Sequence, residues 1–266
     1  MSATAAELER ERGFARPAAF GAFGAVALYV ISYVIEQSSG LETEGLKSIQ
    51  LQSFHDHSGA MLVATIIRAF GFLLISLPFL HLFRAAQIRS PRVRGEMIGF
   101  VFIGPVLFAV QGVLAWLATS QITDEFLDQR ADSAHPAELA QRLIDDSSFR
   151  EVASALLIPA VIALAIALIY ISLQAMRAGL LTRFAGSLGV ALGASMVLIF
   201  PIALLVILVW LIYIGLVFLG RAPGGTPPAW DAGEAIPWPS PGEKAAADLS
   251  PPAEDQEKPR GQGHSQ

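Results

Sequence analysis

Apolar residues in this chain gather into long runs separated by short polar segments. Five runs stand out: Pro17–Ile35, Ala60–Phe83, Met97–Thr119, Val152–Leu173 and Phe184–Gly220. At about 1.5 Å per residue, roughly 20 residues cross a 30 Å hydrocarbon core. Each of the first four runs therefore predicts one transmembrane helix. The fifth has 37 residues and would be about 55 Å long as a single helix, more than tilt accommodates. Pro201 lies near its middle, where a missing N–H and a ring clash break a helix. Two crossings are predicted there, Phe184–Phe200 and Ile202–Gly220, turning at Phe200-Pro201. The expected fold is all-α, a polytopic membrane helix bundle of six transmembrane helices.

The polar segments orient the bundle. Arg10, Arg12 and Arg16 precede the first span, Arg84, Arg89, Arg92 and Arg94 join the second to the third, and Arg177 and Arg183 join the fourth to the fifth. The alternate segments carry fewer cations and many carboxylates, from Glu36 to Asp56 in one and from Asp124 to Glu151 in the other. Lys and Arg concentrate in cytoplasmic loops, so both termini are expected in the cytoplasm. The expected organisation is an N-terminal arm over 1–16, a membrane domain over 17–220 with acidic outer loops at 36–59 and 120–151, and a tail over 221–266. Glu7, Glu9 and Glu11 among the arginines, with no small-residue cleavage site after the first run, predict a retained helix and not a signal peptide.

Pro136 at a favoured first helical position, with Leu139, Leu143 and Ile144 on one face, predicts a short helix within the second outer loop. Gln121–Gln129 would extend the third span. The first outer loop has no clean period and receives no assignment. The tail holds nine Pro and six Gly in 46 residues, a low-complexity composition that predicts an unstructured extension. Within it, Trp230 and Trp238 are expected as anchors at the inner interface, with a Pro-rich docking motif as the alternative.

Composition supports the membrane reading and removes several chemistries. Only 15% of residues are charged and 53% are apolar, against about 25% charged in a typical soluble chain. That balance excludes a nucleic-acid-coating protein. The absence of Cys excludes disulfides, thiolate metal sites and cysteine nucleophiles. No P-loop, H-E-x-x-H, G-x-S-x-G or dinucleotide motif is present. No cofactor is expected. Small residues at Gly186, Gly189, Gly193 and Ser195 of the fifth span, and at Ala18, Gly21, Ala22 and Ala25 of the first, suit close helix contacts within one chain or between chains. Pro78, Pro105 and Pro159 mark candidate kinks.

Two constellations remain as candidate sites. Arg68 lies about eight residues inside the second span, roughly 12 Å below its outer end. Placing Arg there costs about 2.5–3.5 kcal/mol on insertion scales, so the side chain should face the bundle or a wet cavity. Glu36 and Gln111 are its candidate partners, and the three together form a candidate anion or proton-pathway site. A packing role or a snorkelling side chain is the alternative. The second constellation is His55-Asp56-His57, whose imidazoles point the same way if the segment is extended. A metal would need a further ligand, for which His135 is the candidate. The plainer reading makes Asp56 or Ser58 the N-cap of the second span.

The run Met176–Phe184, the segment Gly220–Trp230, Ile236-Pro237-Trp238-Pro239, the Ser90-Pro91 loop and the acidic segment before Val152 together resemble a group of uncharacterised multi-span integral membrane proteins of actinobacteria. The resemblance implies six helices and the placement of the tail. It implies no activity, cofactor or substrate, and no site residue follows from it. The expected role is that of a multi-pass cell-membrane protein, lying in the lipid bilayer as a non-enzymatic scaffold for membrane protein partners, with no nucleic acid. A small-molecule or anion transporter with a cavity at Arg68, and a metal-dependent membrane enzyme using the outer histidines, are the alternatives.

Overall fold

The computed structural model describes residues 4–40 and 46–238, and among these the chain is helical with no strand. The helices are α1 (Ala5–Ser38), α2 (Lys47–Arg89), α3 (Ile98–Gln129), α4 (Pro136–Asp145), α5 (Ser148–Arg177), α6 (Arg183–Phe218) and the single turn α7 (Ala229–Ala232). Five helices are long and apolar enough to cross a membrane: α1, α2, α3 with its flanking turns, α5 and the first limb of α6. The chain is a multi-pass helical membrane protein. Local signals set several helix starts. Thr4 and Glu7 form a capping box before α1, and Ser147 and Thr182 cap α5 and α6 through their hydroxyls.

In α6 the backbone leaves the helical region at Ile199 (φ −136°, ψ 49°), dividing it into Arg183–Phe200 and Ile202–Phe218. The two limbs fold back on each other. The Trp210 indole N–H donates to the Ala185 carbonyl at 2.9 Å, although 25 residues of straight helix would hold them about 37 Å apart. The division falls where Pro201 predicts it. The second limb, at 17 residues, falls short of the length of the other five segments.

The bundle is a ring: α1 packs on α2, α2 on α3, α3 on α5, α5 on α6, and α6 returns to α1. Small residues set its closest contacts. A Cβ on Gly189 would collide with Ser172, and one on Gly193 would come within 2.6 Å of Ile169, so the glycine face of α6 is used against α5 inside this chain. The small face of α1 is likewise buried, with Ala18 and Ala22 fully enclosed and Gly21 pressed against Leu77. Pro78, Pro105 and Pro159 all lie inside continuous helices.

The hairpin of α6 is shorter than the ring around it. At its tip Phe200 stacks on Phe108, 5.4 Å between ring centroids, and Phe108 stacks on Phe72 at 4.8 Å. Phe72 lies midway along the apolar run Ala60–Phe83. From Phe72, α2 continues for about 37 Å to Lys47. There Leu51 joins Ile122, Phe126, Leu139 and Ala140 in a second, smaller core beneath α4. The ends of α2 and α3 and the short helix α4 therefore form one structured cap at the acidic end. The first expected outer loop shrinks to the link between Ser38 and Lys47, while the second holds the helix expected at Pro136 and the expected extension of α3 through Gln129. Residues 41–45 lie outside the described residues.

The tail also departs from expectation. Its first part, residues 221–238, is packed on the basic end of the bundle, and residues 239–266 lie outside the described residues. Trp230 donates its indole N–H to the Leu180 carbonyl at 2.9 Å and Trp238 to the Leu181 carbonyl at 2.8 Å. The Ile236 amide bonds Ala178. These bonds satisfy carbonyls around the turn after α5. The turn itself needs Gly179, whose φ is +77° and where a Cβ would collide with the Ile236 carbonyl. Composition concealed this, because two tryptophans with free carbonyls to bond offset the ordering entropy of a short Pro-rich segment.

Arg89 joins the tail to the bundle. It is 1% exposed, grips Glu11 of α1 with two nitrogens at 2.6 and 2.9 Å, and donates to the Ala229 carbonyl at 3.0 Å. Removing one partner of a buried pair costs about 3–5 kcal/mol, because the other charge is stranded. Glu11→Ala should therefore lower stability by about that amount in thermal unfolding of the detergent-solubilised protein, and should expose residues 222–226 to proteolysis. Glu11→Leu with Arg89→Met should recover most of the loss. Equal stability of Glu11→Ala and the parent would refute this role.

Candidate functional site

Because the α6 hairpin ends level with Phe72, the ring of α1, α2, α3 and α5 encloses space above it. That space is a cavity of about 360 Å³ running from Phe200 and Leu204 at its floor to Glu36, Phe54 and Thr119 near the acidic end. Arg68 stands on its wall, one helical turn above the aromatic floor.

Arg68 is ion-paired with Glu36 of α1, and its Nε donates to the Ser32 hydroxyl at 3.3 Å. Its guanidinium carbon lies 5.9 Å from the centre of the Tyr29 ring. Tyr29, Ser32 and Glu36 occur at spacings of three and four, which places them on one face of α1. The pair is not sealed: the Arg68 and Glu36 side chains are 32% and 29% exposed. It differs in this from the Arg89–Glu11 pair, whose side chains are 0% and 6% exposed. The first pair can exchange partners, and the second is a structural clasp.

Gln111 lines the same cavity from α3, but no hydrogen bond joins it to Arg68. Thr119 and Gly112 lie near it on that helix. A Cβ on Gly112 would meet nothing within 4 Å, so the cavity wall is open there. Trp116 also lines the cavity, and its indole N–H is buried with no acceptor among the described residues. Thr65 adds a hydroxyl from α2. The walls thus present one cation, one anion and several neutral donors and acceptors over an aromatic floor. Such a lining suits reversible binding of a small polar group. It includes no histidine and no serine to serve as base or nucleophile. Sequence reasoning missed Tyr29, Trp116 and Thr119. Tyr29, seven residues before Glu36, and Thr119, eight after Gln111, share their helix faces, which was the signal available, and Trp116 gave none.

The histidines do not assemble. His55 and His57 lie inside α2, not in an extended segment, so their side chains diverge by about 200° around the helix. His57 Nδ1 lies 2.8 Å from the Ser53 carbonyl. His135 is the residue before α4. Among the described residues no group of three His, Asp or Glu side chains is placed to hold a metal. Asp56 and Ser58 are not caps either, because α2 begins nine and eleven residues before them, at Lys47. The apolar side chains Leu51 and Phe54 continue the helix outward by burying against the acidic-end cap and the bundle. His81, given no role from sequence, is 2% exposed and packed among Phe14, Phe218 and Trp230.

Charge reversal tests the Arg68 pair. Arg68→Leu should cost no more than about 1 kcal/mol, since the pair is partly solvated and Leu suits the bilayer. Arg68→Glu should be more destabilising, because it sets like charge against Glu36. Adding Glu36→Arg to Arg68→Glu should restore the thermal midpoint to within a few degrees. A double variant no better than Arg68→Glu alone would show that the pair does not hold α1 to α2. Comparison of the chain with protein-family models, with curated proteins and with solved structures finds no match.

Proposed function

We propose that this is a multi-pass protein of the cell membrane that binds a small zwitterionic group in the Arg68–Glu36 cavity, with no covalent chemistry. The observation that carries this reading is an ion pair, about a third exposed, lining an open cavity. An arginine this deep in an apolar run is costly unless it is used or sealed, and this one is not sealed. The floor of the cavity is the tip of a broken helix, and irregular backbone at membrane depth is tolerated where it lines a cavity. The broken helix also supports passage of the bound group as the alternative to simple binding. The scaffold role expected from sequence is supported by the structured cap of α4 and the ends of α2 and α3, and stands as a second reading.

The inferred topology places the basic end in the cytoplasm. The described parts of the arm and tail meet there, because Glu11 and Ala229 share Arg89, so both termini are cytoplasmic. The level of Phe200 favours an α6 hairpin that enters and leaves from that side over two complete crossings. Cysteine labelling is clean in a chain with no native Cys. Gly40→Cys and Ser133→Cys should react with an impermeant maleimide in intact cells, and Arg221→Cys only after permeabilisation. External reaction of Arg221→Cys would overturn the topology.

The cavity is tested by titrating the purified protein with glycerophosphoethanolamine, a soluble zwitterion whose phosphodiester and ammonium charges cancel. Binding should be saturable, and Arg68→Gln should weaken it at least about tenfold, equivalent to 1.4 kcal/mol. Gly112→Phe, which fills open space, should abolish binding while leaving the thermal midpoint close to that of the parent. Unchanged binding by both variants would refute the site.

A further inference from the structure

A second depression lies on the outer surface of the bundle, between α2 and α3. It has a volume of about 440 Å³ and is lined only by apolar residues, among them Ile66, Phe70 and Leu73 of α2 and Val106, Val110 and Val113 of α3. All six are exposed on the perimeter, where a membrane protein meets acyl chains. Along α2 the groove runs from Ile66 to Leu73, about 10 Å along the helix axis, from the level of Arg68 toward the middle of the apolar run.

The groove and the polar cavity share a wall. Ala69 and Ala109 line both. At these two positions α2 and α3 present only methyl groups, so the partition between the charged interior and the acyl-chain surface is one small side chain thick from each helix. Larger residues surround them: Phe72 and Phe108 below, and Phe70 and Val110 on the outer face. The partition is thinnest beside Arg68.

We infer that the cavity takes the head group of a zwitterionic phospholipid, drawn in sideways between α2 and α3 past Ala69 and Ala109, with one acyl chain lying in the apolar groove. The inference rests on the binding reading above and names its ligand class. Charge chooses the head group. Arg68 and Glu36 are the cation and anion of the cavity wall and the other lining residues are neutral, so a phosphate and an ammonium together match the wall without leaving a surplus charge. An anionic head group would leave its charge uncompensated once Arg68 is paired, which is costly away from water. The phosphate takes Arg68 and the ammonium takes Glu36, with the Gln111 amide and the Thr65 hydroxyl on the same walls. The continuity of the groove with the cavity chooses the rest of the molecule: a soluble zwitterion would leave the groove unused, whereas a lipid fills both.

The test compares lysophosphatidylethanolamine, lysophosphatidylglycerol and glycerophosphoethanolamine on the full-length protein in detergent, with binding read by native mass spectrometry and calorimetry. Lysophosphatidylethanolamine should bind at least about tenfold more tightly than glycerophosphoethanolamine and lysophosphatidylglycerol. Val106→Trp and Val110→Trp, at positions that line the groove and not the cavity, should remove that advantage while glycerophosphoethanolamine still binds as it does to the parent, which also certifies the fold of the variants. Independently of any variant, a lysophosphatidylethanolamine with a diazirine at the middle of its chain should crosslink within 66–73 and 106–114. Equal binding of lipid and soluble zwitterion to the parent would overturn the lipid inference and leave the cavity reading standing. Absence of binding by either probe would overturn both. Full lipid affinity in both groove variants, or crosslinks confined to other segments, would overturn the lateral route, and equal affinity for the phosphoglycerol head group would overturn the zwitterion match.

Discussion

The break at Ile199 is the feature on which the rest of this bundle depends. In a hydrocarbon medium a helix satisfies its own backbone, and a break releases amides and carbonyls that need partners or water. Here the break lies against the aromatic rings of α2 and α3, and the two limbs of α6 return to the basic end held by Trp210 and Ala185. A hairpin built this way has a fixed reach, set by the residues in each limb. The ring of longer helices around it has a greater reach. The difference between the two lengths is the cavity, and Arg68 is the charged side chain that stands in it.

Two arginines of α2 show how burial decides the use of the same chemistry. Arg89 and Glu11 are enclosed by α1, α2 and the returning tail, and every bond they make is internal. Breaking that pair strands a charge, so it acts as a clasp. Arg68 and Glu36 face an open cavity with about a third of each side chain exposed. A ligand can replace either partner there, because water and neighbouring neutral groups solvate whichever charge is released. The stable clasp at the basic end and the accessible pair toward the acidic end stand about 32 Å apart along α2.

The tail's first 18 residues extend this division. Two indole N–H groups and one arginine bond carbonyls at or next to helix ends, so the segment covers the basic end of the bundle. With that end covered, the cavity under Arg68 extends toward the opposite, acidic end. Lateral contact through Ala69 and Ala109 is the other route that the packing leaves thin.

Length and hydrophobicity determined the helices by themselves. The apolar runs, the division near Pro201 and the short helix at Pro136 depend on local backbone chemistry and on the 30 Å core, so no tertiary contact was needed to find them. Arg68 was legible for a similar reason, since its cost depends only on depth, and Glu36 followed as the acidic residue at the neighbouring helix end. The tertiary structure decided what local chemistry leaves open. It made His55 and His57 part of a helix, because apolar faces beyond the bilayer could bury against α3 and α4. It ordered Trp230 and Trp238, because carbonyls at the turn after α5 needed donors. It placed the cavity, because the reach of a folded-back hairpin relative to its neighbours is a property of the packed bundle and of no single segment.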